Sequence, residues 1–347
     1  MSTPTLVISQ EMTENEVWSS LKRTLESMGL FVPQTKRFIA TTVVVVTIAL
    51  TGFIAAPQVS TLWMLLGIAF GEAICSTQIA LLSHDLGHRQ VFDDRKRTSY
   101  ILHLVYGNFL LAFSNSWWVD KHDRHHANPN HLEKDPDVHI FFIAFRAEQA
   151  IGRSRCLRPL MKAQAVVFPL VLCLQAVNAR WSSITYLFKD HPKDKWLQLV
   201  IIMIHLTLYV AFLAFVLGGW HGVLFGLVHQ GVFGLYNSAV FAPNHKRAEF
   251  LKSGHVYGVI RKQVLTSTNV TGGPIIDAGM GGLNYQIEHH LFPKLPRWNL
   301  AKAHAVIEPA LRQYGIVYQQ DNIFRSWLGI EGALFRESRR IGKDKAA

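Results

Sequence analysis

Two long stretches of this chain contain no lysine or arginine, and that absence restricts what the chain can fold into more than any other feature. Neither residue occurs between Phe38 and Ser83, or between Trp196 and Asn244, although the chain carries 35 of them and a net charge of +11. Inside these stretches the apolar residues form runs long enough to cross a bilayer as helices, which takes about 20 residues. The predicted spans are Phe38 to Ala56, Thr61 to Leu82, Leu197 to Leu217 and Gly222 to Phe241. The β-branched block Thr41 to Thr47 would suit a strand, but the length of its run is that of a spanning helix. With 49% hydrophobic and only 17% charged residues, the apolar blocks are better placed in a membrane than in one large soluble core.

The connections between paired spans, around Pro57 and around Gly218, Gly219 and Trp220, carry no charge. Both are therefore expected to face away from the cytoplasm, and all the basic segments to share its side. The fold class expected is an all-α integral membrane protein: four transmembrane helices in two hairpins, with a cytosolic helical cap. Its parts would be a cytosolic N-terminal tail over 1–37, a membrane domain over 38–336 and a polar, disordered tail over 337–347. Val17, Leu21 and Leu25 recur at helical spacing in the first of these and predict an amphipathic helix; Asn299 to Tyr314 predicts another. Ile101 to Phe113 and Met161 to Ala176 are too short or too interrupted to span and are expected to dip into the membrane or lie at its interface. Cys75, Cys156 and Cys173 are scattered, which offers neither a disulfide framework nor a CxxC site and fits a reducing compartment. The first 37 residues are polar, so no cleavable secretory signal is expected. The positive charge belongs to the cytosolic side of a membrane, and no nucleic-acid partner is expected.

Seventeen histidines are present, and their grouping says more than their number. His84 and His88 close the second span at a spacing that puts both imidazoles on one helix face. His122, His125 and His126 form a second group, offset by three and four residues. Gln286-Ile287-Glu288-His289-His290 is the third, and His245, beside Asn244, lies beyond the fourth span. A lone histidine is more often packed or solvated than a ligand; that reading is kept for His103, His131, His139, His191, His255 and His304, and packing or substrate contact for His205, His221 and His229. Three groups on one predicted side of the membrane point instead to shared metal ligation. Imidazole does not choose among iron, zinc, copper and nickel. Eight clustered histidines exceed the three protein ligands of a catalytic zinc, so a two-metal site is indicated. No Glu-x-x-His signature of soluble di-iron bundles occurs, which leaves an all-imidazole set.

HDLGH, WWVDKHDRHHANPNHLEKDPDV, FAPNHK and GGLNYQIEHHLFPKLPRWNL, in this order between these spans, resemble the membrane-bound fatty acid desaturase family, in its branch with Gln at the start of the third box. The resemblance runs from about Phe38 to past Leu300. It implies a centre of two iron ions, with O2 as co-substrate, ligated by His84, His88, His122, His125, His126, His245, His289 and His290. Where nine-histidine members carry one more, this chain has Gln286, able to ligate through its amide oxygen or to orient a metal-bound water. Asn244 could supply a polar contact beside it. Asp85, Asp120, Asp123, Asp135, Asp137 and Glu288 are candidate acceptors for ligand N–H groups, and Gln263, Thr266 and Asn269 could line the site.

An unactivated methylene has neither an acidic proton nor a leaving group, so a cofactor must carry the hard step. The implied reaction introduces a C=C bond into an acyl-CoA or lipid-linked acyl chain; a hydroxylase or acetylenase on the same scaffold is the near alternative, and a membrane metal transporter the distant one. Arg89, Lys121 and Arg124 are candidate headgroup contacts. No HPGG haem motif, cysteine cluster or GxGxxG occurs, so a separate ferredoxin or cytochrome b5-like donor with its reductase is expected. A basic cytosolic face would attract an acidic donor.

Overall fold

The computed structural model describes residues 8–92 and 96–341. The chain divides into two compact units. One comprises Met1–Val32, His122–Leu170 and Val240–Ala347; the other comprises Pro33–Lys121 and Val171–Ala239. In chain order the helices are α1 Glu14–Ser27, α2 Thr35–Ala55, α3 Leu62–Gly87, α4 Lys96–His103, α5 Asn115–Ala127, α6 Arg158–Lys162, α7 Gln164–Cys173 and α8 Gln175–Lys189. There follow α9 Lys195–Ala211, α10 Gly219–His245, α11 Val259–Leu265, α12 Pro274–Gly279, α13 Gln286–Leu291, α14 Leu300–Gln313 and α15 Ile323–Arg340. Two short strands, β1 Asn269–Thr271 and β2 Gln320–Asn322, pair in parallel, with Asn269 opposite Gln320.

Four helical segments are long and apolar enough to cross a membrane: Thr35–Gln58, Leu62–Gly87, Lys195–Leu217 and Gly219–His245. Only 11% of the apolar window of the first and 6% of that of the third is buried within the protein. Val43, Val44 and Ile48 on α2, and Leu208 and Val210 on α9, turn more than half their surface outward. Water would not tolerate such faces, whereas lipid covers them. The sequence anticipates these segments closely, but α10 runs four residues further than its predicted end, through Pro243 to His245. Pro243 lies in the last turn of that helix.

In the second unit, α9 widens into a π-helical turn at Phe212–Leu217, and Gly218 then leaves the helix with φ of 66°. That left-handed backbone is cheap only for glycine. Tyr106 donates to Thr42 across 2.8 Å, and Ser114 donates to Gln198, which fastens the segment after α4 within this unit. The predicted weak stretch Ile101 to Phe113 is the end of α4 followed by a π turn, Leu104–Phe109. The other, Met161 to Ala176, is a broken element in which Arg155–Lys162 and Gln164–Cys173 meet at 93°. His229 sits between Ser76, at 3.0 Å, and Tyr209, at 2.8 Å, and His205 faces the carbonyl of Phe109 at 2.7 Å.

The first unit has an apolar core. Thr13 and Glu16 close the start of α1 as a reciprocal capping box. Val17, Leu21 and Leu25, one turn apart, are fully buried against Leu300, Ile307 and Leu311 of α14, Ile260 and Val264 of α11 and Ile287 of α13. Each such side chain contributes about 1.5–3 kcal/mol. Trp18 stacks on Phe292 at 5.6 Å and donates its indole N–H to the Leu291 carbonyl, tying α1 to the third histidine group. The first four residues of the polar tail expected from Glu337 are helical. α15 continues to Arg340 because Glu337 is buried, accepting from the Ala147 amide at 2.8 Å and pairing with Arg340. The remainder of that expected tail, 342–347, and the start of the N-terminal one, 1–7, lie outside the described residues.

Candidate metal centre

In the second unit, the last turn of α3 presents His84 and His88 with ring centroids 4.6 Å apart, His84 being buried. The indole of Trp118 packs edge-on to both, at 5.6 and 6.0 Å. Gly87, between them in sequence, makes room for it: a Cβ there would lie 2.1 Å from the indole. The glycine of HDLGH is thus a packing requirement, which its place in a helix interior would not otherwise favour.

The other six predicted ligands belong to the first unit. His122 and His126, one turn apart at the end of α5, bring their Nε2 atoms to 3.1 Å. His289 lies with its ring 4.9 Å from that of His126 and 6.4 Å from that of His122. His125, from α5, His245, from the end of α10, and His290, from α13, are all buried, with their nearest nitrogens within 4.8 Å of one another. His290 stacks on His126 at 4.2 Å.

The hydrogen bonds around this trio fix its tautomers. His125 Nδ1 donates to Asp135 at 3.0 Å, and Asp135 also accepts the backbone N–H groups of Asn130 and Asp137. Burial pushes the Asp135 carboxyl up, but the hydrogen bond from His125 and the nearby charge of Lys246 hold it below its usual value. It is therefore an ionised acceptor, and its cluster with His125 and Asp137 orients the imidazole. His245 Nδ1 donates to the carbonyl of Thr266 at 3.0 Å. His290 Nδ1 donates to Gln263 Oε1 at 3.0 Å; that amide is oriented because its Nε2 must donate to the carbonyl of His126. All three rings then aim an Nε2 lone pair inward. The Nε2 atoms of His125 and His245 are 3.3 Å apart with no proton to share, and among the described residues Nε2 of buried His290 has no hydrogen-bond partner. Burial, and then the neighbouring His126, His245, His125 and His289, push the pKa of His290 well below its usual value and keep it neutral. Among the described residues the one donor facing these converging lone pairs is the Gln286 amide, which meets His245, and a cation between the rings would relieve the remaining repulsion. The donor set fits a divalent transition metal.

Gln286, buried beside this trio, is turned by Asn244. The Asn244 amide nitrogen donates to the carbonyls of Val240 and Leu283, so it must also be the donor to Gln286 Oε1. Gln286 therefore directs its NH2 group, 2.9 Å away, at His245 Nε2. Of the candidate acceptors, Glu288 is engaged elsewhere, with His304, Tyr318 and Asn269. Asp85 stands 3.9 Å from His84 Nδ1, too far for a hydrogen bond. Asn269 holds α13 by accepting from the Ile287 amide at 2.9 Å. Asn130 escapes sequence reasoning: its buried amide binds the carbonyls of His245, Glu249 and Thr266, knitting three segments of the site together. The only sequence cue is a turn-forming Asn-Pro-Asn run. Arg89 and Arg124 are exposed, and Lys121 lies over the ring of Trp117 at 5.8 Å.

Fold and site together define a helical membrane protein with histidine clusters suited to holding metal. The sequence matches the fatty acid desaturase family over residues 59–322, and the chain belongs to that family. It is 30% identical over 260 residues to the acyl-lipid (9-3)-desaturase of Physcomitrium patens, covering 72% of this chain and 49% of that one. It is 31% identical over 281 residues to the Delta(5) fatty acid desaturase fat-4 of Caenorhabditis elegans, covering 77% and 61%, and 28% identical over 268 residues to the Delta(6)-fatty-acid desaturase fat-3 of the same organism, covering 73% and 60%. The chain thus spans about half to three-fifths of the length of these curated relatives.

Proposed function

We propose that this protein is an O2-dependent fatty acyl desaturase that introduces a C=C bond into an acyl-CoA or lipid-linked acyl chain. The observation that carries this reading is the trio His125, His245 and His290, each with Nδ1 committed to an acceptor and Nε2 turned inward, in a chain of the desaturase family. We assign iron ligation to His84, His88, His122, His125, His126, His245, His289 and His290, serving two ions. Reduced iron, when bound, supplies the O2 activation and hydrogen removal that no side chain here can perform. The chain's own part is to aim those imidazoles and to bury His84, His125, His245, His289 and His290. Gln286, with its NH2 group inward, is assigned to orienting a polar group at the centre rather than to ligation.

The proposed topology has the spans in two antiparallel hairpins, with both termini and the histidine groups on the cytosolic side; the charge-free turns at Pro57 and at Gly218 support it. Electrons would come from a separate ferredoxin or cytochrome b5-like donor with its reductase. Expression of the full chain in a host with a competent donor, followed by mass spectrometry of its acyl chains, tests the reading. A new, positioned double bond is expected; hydroxylated chains without an alkene, or no change, would overturn it.

A further inference from the structure

The first unit also contains a cavity of about 400 Å³ whose wall carries Arg146, Lys246, Arg247 and Arg336 and no acidic side chain. Its aromatic residues, Phe145 and Phe250, stack at 5.9 Å. Arg146 and Lys246 each lie 4.7 Å from one of the two ring centroids. Neighbours offset part of the charge: Asp321 pairs with Arg247, Glu337 with Arg146, although Arg340 shares that carboxylate, and Lys246 donates to the Asp137 carbonyl and lies near ionised Asp135. The wall keeps an excess of positive charge, and Lys246 is only 9% exposed. Cations gathered round one space repel one another unless an anion enters. Guanidinium forks match phosphate oxygens two at a time, and the volume lies within the range of small-molecule sites, far above what a single ion needs. Arg89, Lys121 and Arg124, the headgroup contacts expected from sequence, do not line it. Lys246 follows His245 directly, so the cavity and the proposed centre share a segment of chain.

We propose that this cavity binds the phosphate-bearing end of the acyl carrier. The proposal rests on the desaturase reading for the word acyl and on the cavity itself for the phosphate. Two carriers share that chemistry, coenzyme A and a phospholipid headgroup, and binding separates them. The iron-loaded full chain in an uncharged detergent is titrated calorimetrically with coenzyme A and, separately, with short-chain phosphatidic acid. One probe is expected to bind, and to bind about tenfold more weakly or worse in the double variant Arg247→Glu, Arg336→Glu. Arg155→Glu, an exposed reversal outside the cavity, should leave binding unchanged, and iron content should not move in any variant. Gly329→Ala is the gentler probe. Its Cβ would lie 2.3 Å from Arg247 Nε, so the arginine must leave its place without losing its charge, and binding should weaken. Failure of both probes to bind, or binding indifferent to the double variant and to Gly329→Ala, overturns the proposal; if the double variant does not fold, Gly329→Ala alone decides. Binding is read without turnover. Coenzyme A retained by a chain that makes no double bond would keep the cavity and sink the desaturase reading, and double bonds with indifferent binding would do the reverse.

Discussion

Asp135 decides which nitrogen of His125 can meet a metal. Asp135→Asn replaces an ionised acceptor with a neutral amide and weakens the hold on the imidazole N–H. Metal affinity should fall about 10–100-fold, as for other acceptors behind a ligating histidine. Elemental analysis of the purified variant after dialysis against a weak chelator checks this, and full iron retention would remove Asp135 from that role. His304 offers a pH test. Burial alone would lower its pKa, but the hydrogen bond and charge of Glu288, joined by Glu308 at 3.1 Å, raise it above the usual value. A histidine with a raised folded pKa stabilises fully below its unfolded pKa of about 6.5 and loses that contribution as pH rises through the folded value. The melting temperature of wild type should therefore exceed that of His304→Gln most clearly near about pH 6, with the gap closing on the alkaline side. A gap that widens with pH would refute this pairing.

At the scale of elements, histidine spacing was legible because helix geometry is local: residues four apart share a face whatever surrounds them. The Gly87 contact was not, since nothing near residue 87 in sequence announces the Trp118 ring against it. Gly87→Ala should displace that indole, disturb His84 and His88 and lower iron content, with an overpacking cost of about 1–3 kcal/mol. Adding Trp118→Leu should restore part of the metal by vacating the space. No recovery in the double variant would mean that Gly87 acts through something other than this ring. The end of α10 teaches a related lesson. A proline usually marks a helix boundary, but in the final turn Pro243 sits within α10, and so His245 is carried by the helix itself.

For the whole molecule, the proposed topology makes a prediction that no single residue tests. Single cysteines placed at Val59 and at Trp220, in a chain whose own cysteines are replaced, should react with an impermeant maleimide from the non-cytosolic face. One placed at Arg312, exposed on α14, should react only from the cytosolic face. Labelling of Val59 and Arg312 positions from the same side would discard the two-hairpin arrangement. The sequence by itself determined the four apolar helices, because bilayer length and the absence of charge are written in consecutive residues. It also determined which histidines to watch and the amphipathic face of α1. Only the tertiary structure decided how those histidines are used. The acceptors that set the tautomers of His125, His245 and His290 lie 10, 21 and 27 residues away along the chain, and one of them is a backbone carbonyl with no side-chain signature. The direction of the Gln286 amide was likewise settled by Asn244, 42 residues distant, whose own orientation is dictated by two carbonyls. Period and length are properties of a segment, whereas the placing of a proton on one nitrogen rather than another depends on what folding brings against it.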